Sequence, residues 1–263
     1  MEIIYYFLIF LFGTCVGSFL GVVIDRLPRG ENISKGRSHC DHCKKTLTAL
    51  DLIPIFSFLF LRGRCRHCGA RLSLFYPIVE IVTGSLFVIA ALHVSSMYQV
   101  VSIMYMIELF YYLFIISSLI VLFFIDLKYG ILPFSIMFPA MIVTFLFILL
   151  NTNNMIQNHF LAALGAFGFF LALFLLTRGR GMGFGDVVYV FLMGLLLGFP
   201  SIVLGLYMAF VSGAIVAVIL VLLHKKKMRG STIPFGPFLV FGTLICLLWG
   251  DHLTKFVLRL LLG

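Results

Sequence analysis

Two aspartates at the ends of apolar runs are the residues in this sequence best suited to chemistry. Asp126 stands in FFIDLKYGILP and Asp186 in GMGFGDVVYV. A carboxylate at the edge of a membrane is costly to desolvate, so it favours a functional explanation. Two carboxylates that converge can share a proton and activate water, which is the chemistry of aspartic proteases. The pair therefore predicts a hydrolytic site, provided that the fold brings both residues to one place.

The composition predicts that the elements holding these residues are membrane-spanning helices. The 263-residue chain is 62% hydrophobic and 11% charged, with a mean hydropathy of +1.15. A soluble domain of this size cannot bury so much apolar surface. Apolar runs that reach or approach the length of a bilayer span occur at 3–24, 76–96, 100–125, 131–150, 159–177, 186–199, 201–223 and 235–250. We predict an all-α polytopic membrane protein, a bundle of about eight transmembrane helices.

The basic residues predict the orientation of this bundle. Ten of the 19 lysines and arginines lie in 25–75, one is Lys128, two are Arg178 and Arg180, and four lie in 225–229. These four loops alternate with loops that carry no basic residue, so the positive-inside rule places them in the cytoplasm. Both aspartates then lie at the cytoplasmic face of a cytoplasmic (inner) membrane. The net charge of +9 is explained by attraction to anionic lipid and predicts no nucleic-acid partner.

Three regions differ in composition and predict the domain organisation. Residues 1–24 form an N-terminal transmembrane helix, 25–75 a polar cytoplasmic segment, and 76–263 the transmembrane bundle with both aspartates. Small residues spaced four apart permit close helix contact in lipid. They occur at Gly13, Gly17 and Gly21, and again at Gly194 and Gly198.

Four cysteines in the polar segment have the spacing of a zinc site. They form two CxxC pairs, Cys40 with Cys43 and Cys65 with Cys68. Paired CxxC knuckles suit tetrahedral thiolate coordination of Zn²⁺, as in zinc ribbons. Two disulfides are the alternative, which a reducing cytoplasm disfavours. We therefore predict a structural Zn²⁺ held in a zinc-ribbon-like loop domain.

The position of each aspartate on its helix predicts its part in hydrolysis. Asp186 begins a helix, where free amides and the helix dipole stabilise an anion, whereas Asp126 lies near a helix C-terminus. We therefore expect Asp186 to act as the resting base and Asp126 as the resting acid. The glycines Gly183 and Gly185 are expected to let the backbone adopt conformations barred to other residues and to approach an extended peptide.

Six motifs in order along nearly the whole chain resemble the bacterial type IV prepilin peptidases. These motifs are GSFLGVVIDRLP (17–28), the two CxxC pairs around LDLIPIFSFLFLRGRCRHC (50–68), YPIVE (76–80), IDLKYGILP (125–133), GMGFGD (181–186) and IPFGPFL (233–239). The resemblance implies a multi-pass aspartic protease of the GxGD class whose active site faces the cytoplasm. Such enzymes remove the basic leader of prepilins and pseudopilins after a glycine. Many also N-methylate the new N-terminus with S-adenosylmethionine.

Carried over to this sequence, the resemblance makes Asp126 and Asp186 the catalytic pair, with Gly183 and Gly185 completing the GxGD motif. Glu80 of YPIVE either pairs with a basic loop residue or contributes to methyl transfer. Glu108 lies about 27 Å along its helix from Asp126, so we expect it near the outer interface or hydrogen-bonded within the bundle.

Two other classes of function remain open from the sequence. A proton-coupled transporter would use the acidic residues as a relay, although a relay favours acids at the bilayer midplane rather than at one face. A non-catalytic scaffold of a pilus or secretion machine would use the cysteine segment alone. Function retained after both aspartates are replaced by asparagine would favour the scaffold.

Overall fold

A computed structural model describes residues 2–33, 38–40, 42–98, 102–150, 155–223 and 234–262. Within these ranges the chain is helical, and its only β-type pairings are two isolated bridges beside the cysteines. The α-helices are α1 (Glu2–Arg26), α2 (Phe56–Phe60), α3 (Phe75–Met97), α4 (Ile103–Tyr129), α5 (Phe134–Leu150), α6 (Met155–Leu176), α7 (Phe184–Leu197), α8 (Ser201–Leu222) and α9 (Gly236–Leu262). Short 3₁₀ turns occupy Leu27–Arg29 and Ala49–Leu52.

The long helices are those of an integral membrane protein. Five of the described segments are long and apolar enough to cross a bilayer: Glu2–Arg29, Phe75–Met97, Ile103–Tyr129, Ile156–Leu176 and Ser201–Leu222. Three shorter apolar helices, Phe134–Leu150, Phe184–Leu197 and Gly236–Gly250, coincide with the remaining predicted runs. The all-α fold is thus confirmed, whereas the count of eight spans stays a prediction. The chain after 250 continues α9 as far as Leu262.

The chain divides into two compact units, Met1–Val121 and Leu122–Gly263. The first contains the cysteine segment and the second contains both aspartates. The predicted organisation into 1–24, 25–75 and 76–263 stays a prediction. The basic stretch 225–229, used above for orientation, lies outside the described residues.

In the first unit, α1 and α3 pack closely along the predicted glycine stripe. A Cβ added at Gly13 would lie 2.7 Å from the Cα of Gly84, and one added at Gly17 would lie 2.8 Å from the Cα of Glu80. Real Cβ atoms do not approach so closely, so the two backbones touch directly. In lipid, where the hydrophobic effect does not drive helices together, such close van der Waals packing holds a helix pair.

Farther along the first unit, a hydroxyl cluster joins the end of α3 to the start of α4. Tyr98 donates a hydrogen bond of 2.5 Å to the Glu108 carboxylate, and the Tyr105 hydroxyl bonds with those of Tyr5 and Ser95. Glu108 is therefore hydrogen-bonded within the protein, as the sequence led us to expect.

In the second unit, α7 lies at the centre and packs against α5, α6, α8 and α9. Most of its 14 residues are buried, including Tyr189, whose hydroxyl donates a hydrogen bond of 2.9 Å to the Thr243 hydroxyl of α9. The central position of α7 explains its continuous apolar sequence, because neighbouring helices cover most of its surface.

Gly194 is the contact that lets α7 lie against α6, and a larger residue there is expected to destabilise the protein. A Cβ added at Gly194 would lie 2.6 Å from the backbone nitrogen of Ala163, which cannot rotate away. We expect Gly194→Ala to cost about 1–3 kcal/mol by overpacking. The measurement is the thermal unfolding of purified protein in detergent.

Gly165→Ala provides the matched control for this variant. Gly165 is also helical, on α6, but a Cβ added there meets nothing within 4 Å. Alanine is favoured over glycine in a helix by about 1 kcal/mol, so this variant should unfold at or above the parent temperature. Equal unfolding temperatures for the two variants would contradict the packing described for Gly194.

Candidate active site and metal centre

Asp126 lies in the last turn of α4 and is only 4% exposed. The helix ends three residues later, at Tyr129, because Gly130 adopts a left-handed conformation, with φ of +67°, and donates its N–H to the Asp126 carbonyl at 2.8 Å. A glycine in this conformation is a common helix terminator. The sequence KYG (128–130) thus ends the helix just after Asp126 and sets the position of its carboxylate along the helix axis.

Asp186 lies in the first turn of α7 and is 9% exposed. Gly183 is the N-cap residue. Its N–H donates to Asp186 Oδ2 at 3.1 Å, while the Asp186 N–H donates back to the Gly183 carbonyl at 3.2 Å. The carboxylate therefore supplies a hydrogen-bond acceptor for an amide at the helix N-terminus, where the helix backbone provides none. This confirms the predicted position of Asp186 at a helix N-terminus.

The second unit brings the two carboxylates close enough for their charges to interact. Leu132, which is buried between α4 and α5, lies next to a glycine beside each carboxylate. A Cβ at Gly185, beside Asp186, would lie 3.1 Å from the Leu132 Cβ, and one at Gly236 would lie 3.2 Å from its Cδ2. Like charges buried together favour the sharing of one proton. Two carboxyls that share one proton offer one proton donor and one proton acceptor.

The glycines of the GMGFGD motif have a different use from the one predicted. Gly183 has φ of −76° and ψ of 152°, which any residue adopts, and Gly185 is helical. Neither needs a conformation barred to other residues, so that part of the expectation is wrong, whereas the approach of these glycines to an extended peptide stays a prediction. Gly185 instead provides space, because a side chain would press against Leu132.

Gly236 is a site residue that the analysis of the sequence did not single out. It begins α9 within the motif IPFGPFL, and a Cβ built there would lie 2.5 Å from Asp126 Oδ2. Among the described residues, that buried oxygen has no hydrogen-bond partner. A glycine directly before a proline at a predicted helix start was the available signal, but nothing in the sequence ties it to Asp126.

Replacing Gly236 with alanine is expected to lower catalysis by about 10²-fold without unfolding the protein. The added methyl group would displace the Asp126 carboxylate, and a shift of about 1 Å in a catalytic group has an effect of this size. The measurement is the kcat of peptide cleavage. Gly250→Ala, on the same helix, is the control because its Cβ would meet Ser201 at an ordinary 3.4 Å. Unchanged kcat in Gly236→Ala would contradict the described contact.

The four predicted cysteines form one cluster in the first unit. Their sulfur atoms all lie within 4.8 Å of one another, with Cys40 Sγ and Cys68 Sγ 3.9 Å apart. All four are free thiols rather than disulfides. Four sulfurs bound tetrahedrally at a Zn–S distance of about 2.3 Å would be roughly 3.8 Å apart. The donor set and its spacing therefore fit a metal ion.

The two CxxC pairs have the same backbone structure. Cys40 and Cys65 each donate an N–H to the carbonyl five residues later, at 3.0 and 2.8 Å, and accept from the amide four residues later, at 2.9 Å in both. Backbone N–H groups of Cys68 and His67 directed at Cys65 lower the pKa of its thiol to about 7. The hydrogen bond of the Ala70 amide lowers the pKa of the Cys68 thiol, but burial and the neighbouring thiols outweigh it, so this pKa shifts the opposite way, to about 11.

Glu80 lies in the second turn of α3 and is buried. Its Oε2 accepts the N–H of Ile55 at 2.8 Å, and the Ser18 hydroxyl of α1 donates to the same carboxylate. One of the two roles that the sequence left open for Glu80 was pairing with a basic loop residue. The structure instead gives it a backbone amide from the segment between the two cysteine pairs.

The helices and the site together define a polytopic helical membrane protein with a buried pair of carboxylates and a tetrathiol cluster. The comparisons identify its relatives. Residues 11–94 match the Bacterial Peptidase A24 N-terminal domain and residues 113–218 match the Type IV leader peptidase family. The chain belongs to the type IV leader peptidase family and is an enzyme of that family. No solved structure matches it.

Relatives from distant bacteria match almost end to end. A prepilin leader peptidase/N-methyltransferase of Aeromonas hydrophila is 33% identical, over 97% of this chain and 94% of the relative. One of Bacillus subtilis (strain 168) is 30% identical, over 97% of this chain and 99% of the relative. One of Pseudomonas aeruginosa is 28% identical, over 95% and 92%. The resemblance stated from the motifs is thereby confirmed.

Proposed function

We propose that this protein is an aspartic endopeptidase that removes the basic leader of type IV prepilins or pseudopilins by cutting after a glycine. The observation that supports this most directly is the buried pair Asp126 and Asp186, at helix ends, within electrostatic reach of each other. Two such carboxylates are sufficient to hydrolyse a peptide bond. A transporter and a scaffold are less favoured, because the relatives are named as peptidases.

In this proposal Asp186 takes a proton from water while Asp126 donates one to the oxygen of the scissile carbonyl. The Gly183 N–H and the N-terminus of α7 stabilise negative charge on Asp186. Asp126 is only 4% exposed and lies within reach of the charge of Asp186, so it is suited to hold the proton. The tetrahedral diol then collapses as Asp186 returns its proton to the leaving amine and Asp126 takes a proton back from a diol hydroxyl, so both carboxyls end in their starting states.

The catalytic pair is proposed to face the cytoplasm from the inner membrane. Asp126 lies at the C-terminal end of α4 and Asp186 at the N-terminal end of α7. The nearby basic residues Lys128, Arg178 and Arg180 favour the cytoplasmic side for those ends. A leader made in the cytoplasm would then reach the aspartates without crossing the bilayer, while the apolar part of the precursor stays in lipid.

The tetrathiol cluster is proposed to hold one structural Zn²⁺. Cys40, Cys43, Cys65 and Cys68 would be its four ligands. Zinc with four thiolates has no open position for water or substrate, so its contribution is to hold the cysteine segment together.

A second activity, N-methylation of the new N-terminus with S-adenosylmethionine, is proposed from the names of the relatives. Each curated relative reported above is named as an N-methyltransferase as well as a peptidase. Glu80 is the candidate residue for this reaction. Its buried carboxylate is held by Ile55 and Ser18.

Mass spectrometry of a precursor incubated with the purified enzyme tests both activities separately. A pilin-like precursor in detergent should lose its leader after a glycine with no added cofactor. With S-adenosylmethionine present, the product should gain the mass of one methyl group. An intact precursor after incubation with enzyme whose fold is verified by circular dichroism would refute the peptidase. Proton flux in proteoliposomes, without cleavage, would support the transporter.

A further inference from the structure

The segment 49–60, between the two cysteine pairs, exposes a group of large apolar side chains. It consists of the 3₁₀ turn Ala49–Leu52, a sharp turn at Ile55, and α2. Leu50 is 63% exposed, Leu59 65% and Phe60 84%. Large contiguous apolar surfaces are rare on parts of proteins that face water and indicate a binding or membrane surface. By its composition this stretch was expected to belong to the polar cytoplasmic segment 25–75.

The hydrogen bond between Ile55 and Glu80 sets the depth of the segment relative to the spanning helices. Glu80, which accepts the Ile55 N–H at 2.8 Å, lies five residues after the start of α3, about 8 Å along the helix. Ser18, which also bonds Glu80, lies eight residues before the end of α1, about 12 Å along it. The Ile55 turn therefore lies below the ends of both helices, at a level that belongs to the bilayer.

The backbone at Ile55 is held in an unusual conformation by this contact. Ile55 has φ of +62° and ψ of −52°, and the Phe56 N–H donates to the Pro54 carbonyl at 2.6 Å. This is a γ-turn of the rare strained type, which a β-branched residue adopts only where its surroundings impose it. The turn reverses the chain, so that the segment enters toward Glu80 and leaves again through α2.

The outer side of the segment is fixed to the cysteine cluster. Asp51 accepts a hydrogen bond from Arg66 at 2.7 Å, and its other oxygen accepts from the Thr48 amide and hydroxyl. These bonds lower the pKa of Asp51, the Thr48 hydroxyl being the largest cause. The segment is thus held by hydrogen bonds at two points. Asp51 bonds to Arg66, within the second cysteine pair, and Ile55 bonds to Glu80 of α3.

We infer that the segment 49–60 is a re-entrant element that inserts Leu50, Phe56, Leu59 and Phe60 into the bilayer at the boundary between headgroups and acyl chains. An interfacial element of this kind is buried about 5–10 Å, which agrees with the depth of Glu80. The exposed cations Arg62, Arg64 and Arg71 follow the segment directly. Their charge matches anionic phospholipid headgroups. The partner is therefore the lipid surface, and the inference does not depend on peptidase activity.

Fluorescence quenching by brominated lipid tests this inference. The chain has one tryptophan, so Trp249→Phe gives a silent background in which Phe60→Trp or Phe56→Trp reports one position. The full-length protein is reconstituted into vesicles of phosphatidylcholine brominated near the headgroup, with and without phosphatidylglycerol. We expect both reporters to be quenched by lipid about twofold more than Lys45→Trp, an exposed position on the first cysteine pair, and to be less accessible to acrylamide. Phosphatidylglycerol should increase the lipid quenching.

Two results would overturn the inference. Reporters at 56 and 60 that are as accessible to acrylamide as the one at 45, and unaffected by brominated lipid, would show that the segment faces water. Reporters shielded from both quenchers would show that protein, for example a second copy or a bound substrate helix, covers it. In Glu80→Ala the lipid quenching at Phe60→Trp should fall toward the value at Lys45→Trp, whereas Glu80→Gln, which still accepts a hydrogen bond, should retain most of it. Quenching that is equal in these two variants would refute the depth assigned from Glu80.

Discussion

Replacing Asp126 or Asp186 with asparagine is expected to lower leader cleavage by at least 10²–10⁴-fold, about the contribution of one general acid or base. Asparagine has nearly the same shape but can neither accept nor donate the proton that the reaction moves. Because the two carboxylates act as one unit, the double variant should be about as inactive as either single variant. The measurement is kcat/KM on a pilin-like precursor, with product masses recorded in parallel.

Glu31→Gln is the matched control for these variants. Glu31 is a surface carboxylate whose side chain is 53% exposed, with Arg29 at 4.0 Å. Its replacement should leave cleavage and unfolding temperature unchanged. Unfolding of the aspartate variants must also stay close to the parent temperature for the kinetic result to be attributed to chemistry. Cleavage within about tenfold of the parent in a folded Asp126→Asn or Asp186→Asn protein would remove that residue from the proposed mechanism.

Replacing Cys65 with serine is expected to reduce bound zinc from about one ion per chain to nearly none and to open the cysteine segment. Structural zinc contributes about 10–16 kcal/mol in small zinc-dependent domains, so loss of one thiolate removes most of what holds this segment together. We expect trypsin to cut between residues 42 and 72 at least about tenfold faster, because proteolysis follows the population of the open form. Elemental analysis and limited digestion provide the two measurements.

Cys15→Ser is the control for the metal site. Cys15 is a free, exposed thiol on α1 and is not a member of the cluster. This variant should keep its zinc and its resistance to trypsin. A chelator added to the parent protein should reproduce the digestion pattern of Cys65→Ser. Purified parent protein with no metal, and with its four clustered cysteines oxidised, would contradict the proposed zinc site.

The helices and the approximate positions of both aspartates could be predicted because membrane spans follow simple rules. The predicted runs 100–125 and 186–199 correspond to α4 and α7, with end differences of about four residues or fewer. Hydropathy identifies such helices, and a charged residue at the end of an apolar run marks where the run leaves the lipid. Asp126 and Asp186 were therefore recognisable before their surroundings were known.

The surroundings of those aspartates could not be predicted, because they depend on contacts between distant parts of the chain. Gly236 lies 110 residues after Asp126 in the sequence, and only the fold shows that its missing side chain leaves room for the carboxylate. The reason given for Gly183 and Gly185 was wrong for a related cause. Local sequence suggested unusual dihedral angles, whereas close packing against Leu132 is what requires a small residue at Gly185.

The segment 49–60 was missed for a different reason. Helix α2 has five residues, far fewer than a spanning helix needs, and the segment lies among the most basic residues of the chain. Hydropathy averaged over a window as long as a spanning helix therefore classifies the segment as polar. Its depth follows from one hydrogen bond between Ile55 and Glu80, which are 25 residues apart, and no periodicity in the sequence reveals such a bond.

The neighbours of the aspartates named above are largely main chain: the Gly183 amide beside Asp186, and the bare α-carbon of Gly236 beside Asp126. Main-chain atoms persist when side chains change during evolution. Lineages can therefore diversify the lipid-facing helices freely while inheriting the same reactive geometry, provided that a few glycines are kept. For protein engineering, the lipid-facing side chains are therefore the first positions to vary, and Gly183 and Gly236 are positions to leave unchanged.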